Sequence, residues 1–323
     1  MADGSHPRTR PRIEIGLVNN MPDTALQATE RQFTSLLHEA ARDDFEVNIS
    51  LYGLAALPRS EQARTVMRGR YASSATLKRS GADAVIVTGA EPKAADLRDE
   101  VYWDELASLV DWARASTVAS LWSCLAAHAA VLHLDGIVRQ PLEAKCSGVF
   151  TFERVAQHPL GDGLPGLVRN PHSRKNALPV AELEAKGYRI LTLSPRAGAD
   201  VFVRPGQSLF VFLQGHPEYD GDSLLREYCR DISRYLRGEQ PLYPHSPFGY
   251  FDAETERSFR ALAVRARQGP DQRLLSWVGE IAAAMKPARP WRAHAVMLMR
   301  NWLEIIAAEK ALAGANSVDR RRA

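Results

Sequence analysis

Residues 117–131 read TVASLWSCLAAHAAV. An apolar run over 118–122 gives way to a small-residue stretch over 125–134, and Cys124 stands at the junction. This pattern predicts a buried strand, a tight turn and a helix slim enough to pack closely on a sheet. A turn residue in that setting lies at the carboxyl edge of a parallel sheet, beside helical N–H groups that have no partner of their own. A thiol so placed is poised for nucleophilic chemistry, because a helix start and a neighbouring histidine both favour the thiolate. The competing reading is a buried cysteine acting as a small hydrophobe.

Working outward, apolar runs at 13–18, 45–52 and 84–88 read as strands, and amphipathic runs at 24–41 and 99–114 read as helices. Strands alternating with helices at this spacing predict a doubly wound, mainly parallel α/β sheet, with ligands gathering at the carboxyl ends of its strands. Beyond Cys146 the pattern shortens to strand candidates at 148–153, 188–194, 200–204 and 208–213. A helix follows over 223–236, then a Pro- and aromatic-rich crossover over 239–251, and helices over 253–268, 271–284 and 291–312. The expected organisation is a disordered tail over 1–12, one domain over 13–312 with a helical insertion at 253–284, and a charged tail over 313–323. Segment 58–80 carries Arg59, Arg64, Arg68, Arg70, Lys78 and Arg79 against the single acid Glu61. It reads as a solvated, mobile excursion, or in a sharper version as a basic cover for an anionic ligand.

Composition sets the bounds. The chain has 323 residues, 45% hydrophobic and 24% charged, with a formal net charge of +3. Those values describe a globular protein with a full core and no demand for a nucleic-acid partner. Three cysteines (Cys124, Cys146 and Cys229) without CxxC spacing argue against a disulfide framework or a zinc ribbon. No His/Cys/Asp/Glu cluster has ligand spacing and no glycine-rich phosphate loop is present, so neither a metal nor a bound cofactor is expected. The N-terminus has no apolar h-region and no run spans eighteen apolar residues, so the expected location is the cytoplasm, away from the membrane.

The partner for Cys124 is read at Gln214-Gly215-His216-Pro217-Glu218-Tyr219, which follows the apolar run LFVFLQ. His216 stands at the end of an apolar strand, and Glu218 two residues on faces the same way in extended chain, within reach of the second imidazole nitrogen. A plain turn histidine with a solvated glutamate is the alternative. Cysteine, histidine and an orienting carboxylate imply a thioester route: acyl transfer, amide hydrolysis or glutamine-type amide transfer.

At these residues the chain resembles the homoserine O-acyltransferase family. The resemblance spans roughly 13–312 and is carried by the order of its motifs. These are Asn20-Met21-Pro22, Val87-Thr88-Gly89-Ala90, Tyr102-Trp103, the Cys124 turn, Lys145-Cys146-Ser147-Gly148-Val149, Pro171-His172-Ser173-Arg174, Gly215-His216-Pro217-Glu218-Tyr219-Asp220, Trp291-Arg292-Ala293-His294 and Asn301-Trp302. It implies a flavodoxin-like, class I glutamine-amidotransferase-like fold with additional C-terminal helices. It also implies Cys124 as acyl-thioester nucleophile, His216 as proton acceptor, Glu218 as its partner, and Lys145, Ser173 and Arg230 as substrate contacts. Acyl-CoA and a hydroxy amino acid enter as substrates, and a homodimer is implied. Leu125, Gly89 and Ala90 are the candidates for the oxyanion pocket.

Three positions depart from the family pattern. Where members carry Gly for succinyl or Glu for acetyl, this chain has Lys93; a pairing of its ammonium with a distal carboxylate favours succinyl over acetyl. Leu125 replaces a usual tryptophan, and His128 a usual glutamine. His128 reads first as a satisfied helix histidine and second as an altered pocket residue. L-Homoserine is the expected acceptor, with L-serine or a related hydroxy amino acid as the alternative.

Overall fold

A computed structural model describes residues 10–269 and 271–322. The strands are β1 (Arg12–Val18), β2 (Glu46–Gly53), β3 (Tyr71–Ser73), β4 (Ala84–Val87), β5 (Ala119–Ser123), β6 (Gln140–Arg154), β7 (Leu167–Ala177), β8 (Arg189–Ile190), β9 (Thr192–Ser194), β10 (Gly198–Ala199), β11 (Val201–Arg204) and β12 (Leu209–Leu213). The helices are α1 (Leu26–Ala41), α2 (Glu61–Met67), α3 (Ser74–Leu77), α4 (Trp103–Ser116), α5 (Leu125–Asp135), α6 (Val180–Ala185), α7 (Ser223–Leu236), α8 (Ala253–Gln268), α9 (Leu274–Ala284) and α10 (Arg292–Arg322).

Eight strands form the main sheet in the order β3-β2-β1-β4-β5-β12-β11-β8. Pairing is parallel from β3 across to β12 and antiparallel only at β11 and β8. This is the doubly wound, mainly parallel α/β architecture that the alternation predicts. The chain winds outward from β1 to β3 and then reverses to β4 and β5. Between β1 and β4 it therefore leaves a switch point, where strand ends diverge and a crevice opens.

Both faces of the sheet are covered, which is why its strands read as continuous apolar runs. On one face Phe33 and Leu36 of α1 pack with Trp302, Leu303 and Ile306 of α10. On the other, Leu109 and Val110 of α4 and Ala130 of α5 meet Val85, Trp122 and Phe212. Full burial of each large apolar side chain contributes about 1.5–3 kcal/mol before entropy is counted. Helices α7, α8 and α9 share a separate cluster around Ile232, Phe259, Leu262 and Val278.

Two local expectations are corrected. Segment 58–80 is not an excursion: it forms α2, β3 and α3, and β3 pairs in parallel with β2 at the sheet edge. Arg59 is built in, its guanidinium donating to the carbonyls of Asn19 and Met21 and facing Asp23. Arg64 binds Glu61, and Arg70 binds Glu30. Arg68 also faces Glu61, so four of the six basic residues counted there are already paired. The second is the set of strand candidates after Cys146, which omits β7, whose run LVRNPHSRKNA is polar enough to pass for a loop. It is the outer strand of an antiparallel four-stranded sheet ordered β10-β9-β6-β7, where Pro171 leaves no central ladder bond unmade.

Of the expected N-terminal tail, residues 1–9 lie outside the described residues, and Arg12 already opens β1. The backbone of the expected C-terminal tail continues α10 as far as Arg322.

Candidate active site

Strand β5 ends at Ser123 and α5 begins at Leu125, so the chain reverses on Cys124 alone. Cys124 has φ 52° and ψ −113°, one of two positive-φ non-glycine residues among those described. A side chain in that region costs on the order of 1–3 kcal/mol. Sharp strand-to-helix elbows of this kind lift a nucleophile clear of the sheet edge. The elbow is tied down by the Cys124 N–H, which donates to the Leu213 carbonyl of β12 at 2.7 Å.

The same neighbouring strand delivers His216, the expected base. β12 runs parallel to β5 with Leu213 level with Ser123, so Cys124 and His216 leave adjacent strand ends on the same edge of the sheet. His216 and Glu218 are buried, with Nδ1 2.8 Å from Glu218 Oε1. That contact leaves Nε2 for the cysteine, which lines the same cleft and couples electrostatically to the imidazole. The Tyr219 ring stacks on the imidazole at 4.3 Å between centroids. Burial by itself would lower the His216 pKa, but Glu218 and Cys124 on either side outweigh it and hold it well above the ordinary value. The trio read from sequence therefore meets in space.

Gly89 and Ala90 approach from the end of β4. A Cβ on Gly89 would lie 2.7 Å from the Leu125 Cβ and 2.9 Å from its nitrogen, so only glycine lets this loop touch the elbow. Leu125 N begins the helix without an intrahelical acceptor, beside the thiol. Gly89→Ala should therefore push the elbow aside, lowering stability by about 1–3 kcal/mol. Its kcat should fall by roughly 10-fold or more as the donors shift. A thermal melt read beside steady-state kinetics checks both effects.

Cys124 and His216 open on a cleft of about 540 Å³. Its far wall brings together the three expected substrate contacts: Lys145 from β6, Ser173 from β7 and Arg230 from α7. They converge on two carboxylates that the sequence reading passed over, Glu227 and Asp231, one turn apart on α7. Lys145 Nζ lies 2.9 Å from Asp231 Oδ2 and 3.5 Å from Glu227 Oε2. Arg230 grips Asp231 Oδ1 through Nε and Nη2. Ser173 Oγ and the Tyr219 hydroxyl both donate to Glu227. Burial would raise the Glu227 pKa, but Lys145, Ser173 and Tyr219 outweigh it and hold the carboxyl below its usual range. The cluster thus holds two cations and two carboxylates. The i,i+4 spacing of Glu227 and Asp231 beside Arg230 was the available signal.

Two positions fall elsewhere than the family pattern implies. Lys93 lines an adjoining groove with Asn20, Arg59 and Tyr102, its N–H held by Glu100, while Glu91 and Ala90 border the cleft itself. His128 is buried on α5, its Nε2 3.1 Å from Gln214 Oε1, and burial lowers its pKa to about 3. It braces the segment before His216 through Nε2 alone, its Nδ1 having no hydrogen-bond partner, so it is a buried helix histidine satisfied on one side only. Among the described residues no group of three or more His, Cys, Asp or Glu is arranged to hold a metal, and no helix is long and apolar enough to cross a membrane.

A family model described as homoserine O-succinyltransferase matches residues 3–312. The chain is 49% identical to a homoserine O-succinyltransferase of Rhodopseudomonas palustris over 92% of this chain and 89% of that one. It is 46% identical to a namesake from Bradyrhizobium japonicum over 94% of both. A glutamine amidotransferase from Thermotoga maritima superposes with a TM-score of 0.51 at 12% identity, over 91% of this chain and 98% of that one. One from Methylobacillus flagellatus gives 0.50 at 12%, over 92% and 96%. At such identities these two structures bear on the fold alone.

Proposed function

Because the chain belongs to the homoserine O-succinyltransferase family, we propose that it transfers a succinyl group from succinyl-CoA, through a thioester on Cys124, to the hydroxyl of L-homoserine in methionine biosynthesis. In the first half-reaction Cys124 gives its proton to His216 and its sulfur attacks the acyl carbonyl. The Leu125 N–H and the Gly89–Ala90 loop face the developing oxyanion. CoA leaves as its thiol with the proton from His216. In the second, His216 takes the homoserine hydroxyl proton, the oxygen attacks the thioester, and the C–S bond breaks. The proton returns to Cys124 and the O-acyl ester departs. Glu218 holds the imidazole and stabilises its charged form throughout.

The observation that carries this reading is the convergence of Cys124, His216 and Glu218 on a cleft whose opposite wall is charge-balanced. Two cations and two carboxylates suit a free amino acid, which itself carries one charge of each sign. Lys145 and Arg230 supply the partners for its carboxylate, and Glu227 the partner for its ammonium. Lys175 and Arg234, at the same cleft, supply cations for the CoA phosphates; the paired arginines of 58–80 do not fill that role. No separate cofactor enters the scheme. We place the reaction in the cytoplasm, where three free thiols are at home. The domain is taken as 13–312 with α8 and α9 as an insertion, and the assembly as a homodimer, which sedimentation equilibrium tests.

A substrate matrix tests the reading: succinyl-CoA and acetyl-CoA against L-homoserine and L-serine, followed by CoA release. Succinyl-CoA with homoserine should lead each other pair by roughly 10-fold or more in kcat/KM. Ammonia release from glutamine without CoA turnover would replace the reading with an amide hydrolase. Replacing Lys145 by Met should raise KM for homoserine by roughly 10-fold or more while the acyl-enzyme still forms. Rapid-quench detection of the adduct beside steady-state KM separates those two effects.

A further inference from the structure

A second buried imidazole–carboxylate pair lies directly under the catalytic one. Asp200, between β10 and β11, is 1% exposed, and His172 on β7 is 0% exposed. Asp200 Oδ2 accepts from Asn170 Nδ2 at 2.8 Å, and Oδ1 accepts from the Gly215 N–H at 2.9 Å. His172 Nε2 stands 3.2 Å from the same Oδ1, close enough for a charge contact but not aligned as a hydrogen bond. On its other side Arg174 Nε donates to His172 Nδ1 at 3.3 Å, which places the imidazole proton on Nε2, facing the carboxylate. Arg174 is itself buried and fixed to the carbonyls of Asn176 and Ala197, yet it reaches the cleft wall. A line of groups thus runs from the cleft through Arg174, His172 and Asp200 to the backbone of the residue before His216.

Three consecutive N–H groups of the base-bearing turn are anchored on this line or on its strand. Gln214 donates to the Asp200 carbonyl at 3.0 Å, Gly215 to the Asp200 carboxylate, and His216 to the Pro171 carbonyl at 2.8 Å. The fit leaves no slack. A Cβ on Gly215 would lie 2.4 Å from Asn170 Nδ2, 2.6 Å from His172 Nε2 and 2.8 Å from Asp200 Oδ1. A buried carboxylate is costly unless several donors meet it, and this one has its donors supplied. Phe150 and Phe152 hold the His172 ring from two sides. The proposed acyl transfer routes no proton through this pair, because Nδ1 of His216 is already satisfied by Glu218.

We propose that Asp200 and His172 are positioning residues for the catalytic base: Asp200 fixes the Gly215 amide and with it the approach of His216 to Cys124, and His172, backed by Arg174, holds the carboxylate in register. The inference rests on the Cys124–His216 reading above. Charged or titratable groups near the pair are Arg174 and His216 on the cleft side, Cys146 on β6, and Arg154, His158, Arg169 and His294 around a small cavity beyond Asp200. None of these replaces the carboxylate as an acceptor for Gly215.

The experiment compares wild type with Asp200→Asn, His172→Leu and His172→Gln in the full-length chain. Each is read for thermal midpoint, for acyl-adduct formation by intact mass, and for the pH profile of kcat/KM. Asp200→Asn and His172→Leu should lower kcat by about 100-fold with both KM values within about 3-fold. The pH limb carried by His216 should move toward the ordinary histidine range, since its alignment with Glu218 and Cys124 loosens. His172→Gln keeps an N–H donor at that position and should recover most of the activity. Loss of activity only in proportion to loss of folded protein, with an unmoved pH limb, would overturn the proposal, as would a folded Asp200→Asn with wild-type kcat. Absence of an adduct in the wild type would instead remove the parent reading.

Discussion

Cys124→Ala should fold, bind both substrates and form no acyl adduct, with kcat/KM reduced by roughly 10⁴-fold or more. The loss is total in kind because, among the described residues, neither of the other two thiols lines the cleft. Cys146 and Cys229 are largely enclosed, and burial raises the pKa of both thiols, in Cys229 to about 11. A thiol pushed upward is protonated at neutral pH and a poor nucleophile. The elbow adds a second expectation. Cys124 holds φ at 52°, which any residue with a Cβ adopts under strain. Cys124→Gly should therefore be as inactive as the alanine variant yet more stable than it by about 1 kcal/mol. Intact mass after exposure to acyl-CoA reads the first effect, and paired thermal melts read the second. A glycine variant no more stable than the alanine variant would mean that the elbow stores no strain.

The next largest effect belongs to Glu218. It is buried beside His216, with Oε1 on the imidazole Nδ1. Glu218→Gln keeps the shape and removes the charge, so an amide faces a ring whose charged form it no longer stabilises. The expected loss in kcat is roughly 10²- to 10⁴-fold. The sign of the pH effect follows from the direction of the shift. Glu218 is among the groups that hold the His216 pKa up against burial, so removing its charge lets burial prevail and the pKa falls. The pH limb of kcat/KM carried by His216 must then move to lower pH. A limb that stays in place or moves upward would mean that Glu218 does not charge-couple to the base.

Much of this site is legible in the sequence, for definite physical reasons. A strand feeding a helix leaves its turn residue at the sheet edge, so Cys124 could be placed from local pattern alone. The apolar run LFVFLQ places His216 at a neighbouring edge in the same way, and the i,i+2 spacing brings Glu218 to it. What sequence pattern does not carry is pairing across the fold. β7 escaped because Asn170, His172 and Arg174 are polar; they are buried all the same, Asn170 donating to Asp200 and Arg174 to His172 and two main-chain carbonyls. Glu227 and Asp231 escaped because the apolar stripe of α7 announces Leu225, Tyr228 and Ile232, while the carboxylates lie beside that stripe and gain meaning only from Lys145 on another strand. Segment 58–80 looked like a loop because its β3 is three residues long and its Arg59 binds main-chain carbonyls, a partner no charge pattern reveals. Lys93 stands where the resemblance implies an acyl selector, but it borders a groove next to the cleft rather than the cleft itself.

The most direct test of the account is a two-step mass measurement on the wild-type protein. Succinyl-CoA alone should add the mass of one succinyl group to the chain, on the peptide that carries Cys124, with release of one equivalent of CoA. Subsequent addition of L-homoserine should return the protein to its original mass and yield O-succinylhomoserine. A chain that never gains the succinyl mass, or gains it and keeps it in the presence of homoserine, would contradict transfer through Cys124.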